Sequence, residues 1–152
     1  MKILFVCTGN TCRSPMAEGL FREMLRKENI SSVTEVSSAG INAIPHQLAS
    51  LNSIEAISEK GVDLEPHVSQ MLTMDLVESF DLILTMTQSH KQSILGSVPW
   101  LDKKVFTLKE YVEQSGDISD PFGGTLEIYK ESLKDIESSL KLLIEKIKEE
   151  EK

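Results

Sequence analysis

Apolar residues recur along this chain in two periods, and the switch from one to the other predicts its elements. Ile3 to Cys7 is an unbroken apolar run of strand length, the pattern of a parallel strand buried on both faces. Ala17, Leu20, Phe21 and Met24 then recur at helical spacing, with Ser14 placed to cap that helix and Pro15 suited to its first turn. Asn29 to Ser32 ends the helix, and Val33 to Ser38 reads as a second strand closing at Ala39-Gly40. Leu48, Leu51, Ile54 and Ile57 predict a helix over 47–60, stopped by Gly61. After an irregular connection at Pro66-His67 come a short helix over 75–79 and a third strand over 80–86. A helix over 87–95, a short fourth strand at Val105-Phe106-Thr107 and a loop of turn formers over 117–124 follow. A long helix begins near Leu126, with Ile136, Leu140, Leu143 and Ile147 on one face.

Strands that alternate with helices imply an α/β fold: one domain, residues 1–152, built on a four-stranded parallel sheet with helices on both faces. A chain of 152 residues buries about two-thirds of its unfolded surface, enough for a core without metals or disulfides. Ligands of open α/β sheets sit at the carboxyl ends of strands, near the point where strand order reverses. The loop after the first strand is therefore where a site is expected.

Charge and cysteine usage narrow the classes of function. The formal net charge is −8 with no cationic stripe, which argues against nucleic acid as a partner. The two cysteines both lie in the first loop, so a zinc site built on cysteine pairs is ruled out and a secreted disulfide framework is disfavoured. The first residues offer one lysine and a short apolar run, neither a signal peptide nor a membrane span. A cytoplasmic monomer without cofactor or metal, and without membrane association, is the expectation.

The loop Cys7-Thr8-Gly9-Asn10-Thr11-Cys12-Arg13-Ser14-Pro15 carries the chemistry. Amide N–H groups of a tight loop entering a helix N-terminus point at a common centre and bind anions such as phosphate. Cys7 at the base of that nest is placed as a nucleophile, and the helix dipole and Arg13 should lower its pKa toward the thiolate. Arg13 offers a planar fork of donors matched to two phosphoryl oxygens. Asn10 tolerates the left-handed backbone that such a loop demands.

The stretch from Val6 to Glu18, together with Ser37-Ser38-Ala39-Gly40, His67 and Asp120-Pro121-Phe122, resembles the low-molecular-weight protein tyrosine phosphatases. The likeness covers essentially the whole chain, and the fold it implies is a four-stranded parallel sheet flanked by helices. It implies Cys7 as the nucleophile that forms a phosphocysteine, with Arg13 and the amides of Thr8, Gly9, Asn10, Thr11, Cys12 and Ser14 around the phosphoryl group. The Ser14 hydroxyl would stabilise the departing thiolate. Asp120 is implied as general acid and then base, and its alternative is a turn aspartate before Pro121. Phe122 would wall the pocket. Asn10, Ser38 and His67 would hold the loop in shape, against ordinary loop polarity for the last two. His46 and His90 are read as ordinary polar residues. Cys12 is either a small packing residue or the partner of Cys7 in a reversible oxidation.

Thr11 separates two substrates. Tyrosine phosphatases of this family carry a branched aliphatic residue there, and the family's usual tryptophan is missing around Ile41 to Pro45. Thr11, with Asp120-Pro121-Phe122-Gly123-Gly124 and Phe106-Thr107-Leu108-Lys109-Glu110-Tyr111, resembles the bacterial protein arginine phosphatases. The resemblance implies hydrolysis of phosphoarginine in phosphorylated protein substrates, with phosphotyrosine as the alternative. Arsenate reduction, on the same fold, would need resolving cysteines after Cys12, and there are none. A phosphocarrier of sugar-uptake systems is a remote alternative that needs neither Arg13 nor a late general acid.

Overall fold

A computed structural model describes residues 1–151; Lys152, the last residue of the expected domain, lies outside the described residues. Four parallel strands, β1 (Lys2–Cys7), β2 (Glu35–Gly40), β3 (Leu82–Thr85) and β4 (Val105–Thr107), form one sheet in the order β2-β1-β3-β4. Six α-helices accompany them: α1 (Arg13–Lys27), α2 (Leu51–Ser58), α3 (Met74–Ser79), α4 (Gln88–Ser97), α5 (Leu108–Tyr111) and α6 (Leu126–Glu150).

Side chains of a strand alternate between faces, and β1 divides the core accordingly. Ile3, Phe5 and Cys7 join residues of α1, α2 and α6, whereas Leu4 and Val6 pack with Val77, Phe80, Ile83, Ile94 and Val105 on the other face. Both faces are dry, which is why the central strands read as unbroken apolar runs.

Several boundaries differ from the sequence expectation, each for a local reason. Ser14 does not cap α1: that helix begins at Arg13 after Cys12, has no side-chain cap, and the Ser14 hydroxyl is engaged elsewhere. β2 starts two residues later than expected and runs to Gly40, because Gly40 stays in register with Cys7. α2 begins at Leu51 because Ser50 Oγ accepts the Ser53 N–H as an N-cap. Leu48 pairs across an isolated bridge with Val68 instead. As a result Leu48 and Leu51 are 67% and 83% exposed and not part of a buried helical face. α5 and a 3₁₀ turn at Pro99–Leu101 lacked apolar periodicity, although Thr107 and Glu110 form a complete capping box at the start of α5.

The order β2-β1-β3-β4 makes the chain cross from β2 to β3 on the far side of β1, so the order in which strands are added reverses between β1 and β3. The carboxyl ends of those two strands open a crevice at that point. Cys7 ends β1, and the segment leading into α4 leaves the end of β3 beside it.

Gly40 lets the chain close over this end of the sheet. A Cβ there would lie 2.5 Å from the Thr8 carbonyl oxygen and 3.0 Å from the Asn10 nitrogen, both backbone atoms of the loop after β1. Gly40→Ala is therefore expected to destabilise by about 1–3 kcal/mol, the usual range for overpacking. Thermal unfolding measures this, and an unchanged Tm would show that the loop backbone yields freely.

Candidate active site

Asn10 is fully buried and its backbone is left-handed, with φ 57°. Gln70 N–H donates to its Oδ1 at 2.9 Å, which fixes the orientation of the side-chain amide. Its Nδ2 must then be the donor to Ser14 Oγ and to Ser38 Oγ, each at 2.9 Å. His67 Nε2 donates to the Asn10 carbonyl oxygen at 2.8 Å.

These bonds place the hydroxyls of Ser14 and Ser38 on either side of the Asn10 amide. Ser14 Oγ accepts from Asn10 and lies 2.8 Å from Cys7 Sγ, and its hydroxyl is the donor of that bond whenever Cys7 is a thiolate. Ser38 Oγ likewise accepts from Asn10 and donates to Glu18 Oε1 at 2.6 Å. The Asn10 N–H reaches Cys7 Sγ at 3.3 Å. A Cys7 thiolate thus has the Ser14 hydroxyl and the backbone N–H groups of Ser14 and Asn10 around it at the base of the loop.

Burial pushes the Cys7 thiol up from its ordinary value, opposed by the Ser14 and Asn10 hydrogen bonds and by the Arg13 charge. The net direction is upward, a correction to the lowering expected from sequence. The reason is that Sγ is almost wholly removed from solvent, and desolvation disfavours the charged form.

Arg13 is buried, and its guanidinium is aimed by Nη1 donating to the Ile118 carbonyl at 2.9 Å. Its Nη2 lies 3.6 Å from Asp120 Oδ2. Asp120 Oδ1 accepts the Phe122 N–H at 3.1 Å, so this residue is a turn aspartate and also faces the arginine. Phe122 stands 78% exposed at the rim.

Cys7, Thr8, Gly9, Thr11, Cys12, Arg13, Asp120 and Phe122 line one pocket of about 260 Å³. A larger depression of about 630 Å³ near Leu25 and Ile30 contains neither cysteine nor histidine. Ser14, Ser38, Asn10 and His67 lie behind the pocket. Cys12 Sγ turns toward Ser50 Oγ at 3.5 Å and Tyr129 Oη at 3.4 Å, and both cysteines are free thiols.

Sequence reasoning missed Asn42, Ile44 and Gln47, which complete the rim. It also missed His90, whose Nε2 lies 2.8 Å from Thr8 Oγ1. Nothing in their local sequence marks these residues. For His90 the available signal was topological, since it sits in the first turn of the helix that follows the strand beside β1. Burial and the Arg13 charge push its imidazole down to about 4, against the raising influence of Asp117 and Asp120. His46 is not among the pocket residues.

Residues 2–152 match the family model of the low molecular weight phosphotyrosine protein phosphatases. The chain belongs to this family. It is 48% identical over 151 residues to the protein-arginine-phosphatase of Bacillus subtilis (strain 168), covering 99% of each chain. A solved structure of the YwlE arginine phosphatase, a C7S mutant with a phosphorylated active site serine, superposes with a TM-score of 0.92 at 48% identity, covering 97% of this chain and 96% of that one. The low molecular weight protein-tyrosine-phosphatase PtpB of Staphylococcus aureus is 41% identical over 138 residues, 91% of this chain and 93% of that one. The single-domain sheet with four parallel strands is the fold of this phosphatase family. Among the described residues, no helix of this phosphatase-family chain is long and apolar enough to cross a membrane.

Ser14 links the loop to the Cys7 sulfur, and its removal has a definite sign. Ser14→Ala deletes a hydrogen bond that lowers the Cys7 pKa, so the thiol should lose its proton only at higher pH. The pH midpoint for alkylation of Cys7 by iodoacetamide is expected to move upward. An unchanged midpoint would mean that burial, the backbone hydrogen bonds and Arg13 govern the thiol without the Ser14 hydroxyl.

Proposed function

We propose that the chain is a protein arginine phosphatase that hydrolyses the N–P bond of phosphoarginine in proteins through a phosphocysteine. The observation that carries the reading is Thr11, a hydroxyl-bearing residue in the phosphate loop that lines the pocket beside Cys7 and Arg13. Relatives named protein-arginine-phosphatase, at 48% and 40% identity, support it.

The geometry provides a route for both displacements. Cys7 first loses its thiol proton to solvent; the resulting thiolate, held by the Ser14 and Asn10 hydrogen bonds and the Arg13 charge against the cost of burial, attacks phosphorus while the N–P bond breaks. Asp120, at the exposed mouth, gives its proton to the departing guanidinium nitrogen. Arg13 and the loop amides hold the phosphoryl oxygens as charge redistributes. A water molecule then attacks phosphorus, Asp120 takes its proton, the S–P bond breaks, and the Ser14 hydroxyl receives the sulfur as thiolate. Asn10, Ser38 and His67 keep the loop in the conformation these steps require.

The rim favours a polar guanidinium over an aromatic ring. Asn42, Gln47, Thr11 and Asp120 surround the entrance, and Phe122 and Ile44 supply its apolar part. Hydrolysis of phosphotyrosine remains the second reading, favoured by relatives named PtpB at 40% and 41% identity. A monomer as the acting species belongs to the same reading. Cytoplasmic residence and a reversible Cys7–Cys12 oxidation belong to the same reading, supported by two free thiols in one loop.

Release of phosphate from phosphoarginine and phosphotyrosine peptides, compared side by side, tests the assignment. The wild type is expected to prefer phosphoarginine. Thr11→Ile should move the ratio of the two kcat/KM values toward phosphotyrosine by about 10- to 200-fold, the span available to a changed apolar contact. An identical ratio in wild type and variant would remove Thr11 as the selector.

A further inference from the structure

His90 is the only residue among those described whose buried side-chain polar atom, Nδ1, finds no hydrogen-bond partner. Its other ring nitrogen, Nε2, lies 2.8 Å from Thr8 Oγ1. The ring sits in the first turn of α4, where its backbone N–H is taken by the Thr87 cap, and it is 8% exposed. The charges that act on it are Arg13, Asp117 and Asp120. Its neighbour Lys91 is occupied by Glu110 at 2.9 Å. Burial and Arg13 hold the imidazole neutral at physiological pH, so the ring has one proton to place.

Two placements exist, and they differ in what they strand. With the proton on Nδ1, Nε2 accepts from the Thr8 hydroxyl and a buried N–H donor is left without an acceptor. With the proton on Nε2, the ring donates to Thr8 Oγ1 and only a lone pair on Nδ1 is left. Buried N–H groups without acceptors are rarer in proteins than under-used acceptors, which selects the second arrangement.

That arrangement decides what Thr8 can do. One lone pair of its oxygen is filled by His90, so the hydroxyl proton must be directed elsewhere. Thr8 lines the pocket together with Cys7 and Arg13. A threonine at an exposed rim would otherwise turn its hydroxyl freely toward solvent.

We propose that His90 is a positioning residue that holds the Thr8 hydroxyl so that its proton points into the pocket, as one more donor to the oxygen of a bound phosphoryl group. The inference rests on the reading that this pocket takes a phosphoryl group. Its energetic sense is preorganisation: a donor fixed before the anion arrives costs no reorientation when it binds.

Inorganic phosphate is the probe, because its binding is read without turnover. Its Kd is to be measured by calorimetry for the wild type, His90→Phe, Thr8→Val, the double variant and His90→Gln, beside ¹⁵N NMR of the histidine ring in the wild type. The expected result is a Kd raised about tenfold in each of the two single variants, as for loss of one hydrogen bond to a charged group. The double variant should be no weaker than either, since both substitutions break one chain of contacts. His90→Gln, whose amide can reach Thr8, should recover most of the affinity, and NMR should find the proton on Nε2.

A proton on Nδ1, wild-type phosphate affinity in His90→Phe, or losses that multiply in the double variant would overturn the proposal. Glutamine doing no better than phenylalanine would also overturn it. Should His90→Phe fail to fold, the wild-type ring spectrum and the Thr8→Val and His90→Gln affinities decide. A wild type that binds phosphate but hydrolyses neither phosphopeptide would defeat the proposed function and leave this inference standing.

Discussion

The left-handed turn at Asn10 is the constraint on which the site depends. A non-glycine residue in that conformation costs of order 1–3 kcal/mol unless its surroundings over-determine it. Here they do: Gln70, Ser14, Ser38 and His67 together satisfy the side-chain amide and the carbonyl of this one buried residue. Because asparagine has one acceptor and two donors in fixed places, the same bonds make the Ser14 and Ser38 oxygens acceptors on the side that faces it. The Ser14 hydroxyl is free to donate to the Cys7 thiolate, and on the other side Ser38 donates to Glu18. Shape and polarity of the loop are thus one problem with one solution.

The thiol lies where two effects compete. Removing Sγ from water favours the neutral form, and the donors converging on it favour the anion. A loop that buries a thiol makes it harder to ionise, and the hydrogen bonds and Arg13 offset part of that cost. Arg13 itself is aimed by the Ile118 carbonyl, which belongs to the late loop that also carries Asp120. The two halves of the chemistry, separated by more than a hundred residues of sequence, are therefore mechanically joined through one guanidinium.

Much of this was legible in the sequence because it is local. The strand–loop–helix unit with Cys7, Arg13 and Pro15 announces its own geometry, and parallel strands buried on both faces leave apolar runs at β1 and β3. Other features were not legible because distant parts of the chain create them. Ser14 looked like a helix cap, but Asn10 and Cys7 claim its hydroxyl. Leu48 and Leu51 looked like a buried helical face, yet Ser50 starts the helix after Leu48 and both leucines stay in solvent. The rise in the Cys7 pKa needed the depth of burial, which no local pattern reports. His90 needed the order of the strands, since only the adjacency of β1 and β3 brings the start of α4 to Thr8.

The central claim is that the buried thiol of Cys7, held by the Asn10-locked loop, is the atom that accepts the phosphoryl group. Its most direct test is mass spectrometry of the wild-type enzyme quenched in acid during turnover of a phosphoarginine peptide. One phosphoryl group is expected on the peptide that contains Cys7, absent when Cys7 is alkylated beforehand. Steady turnover with no phosphorylated enzyme, or with the phosphoryl group on any other residue, would contradict it.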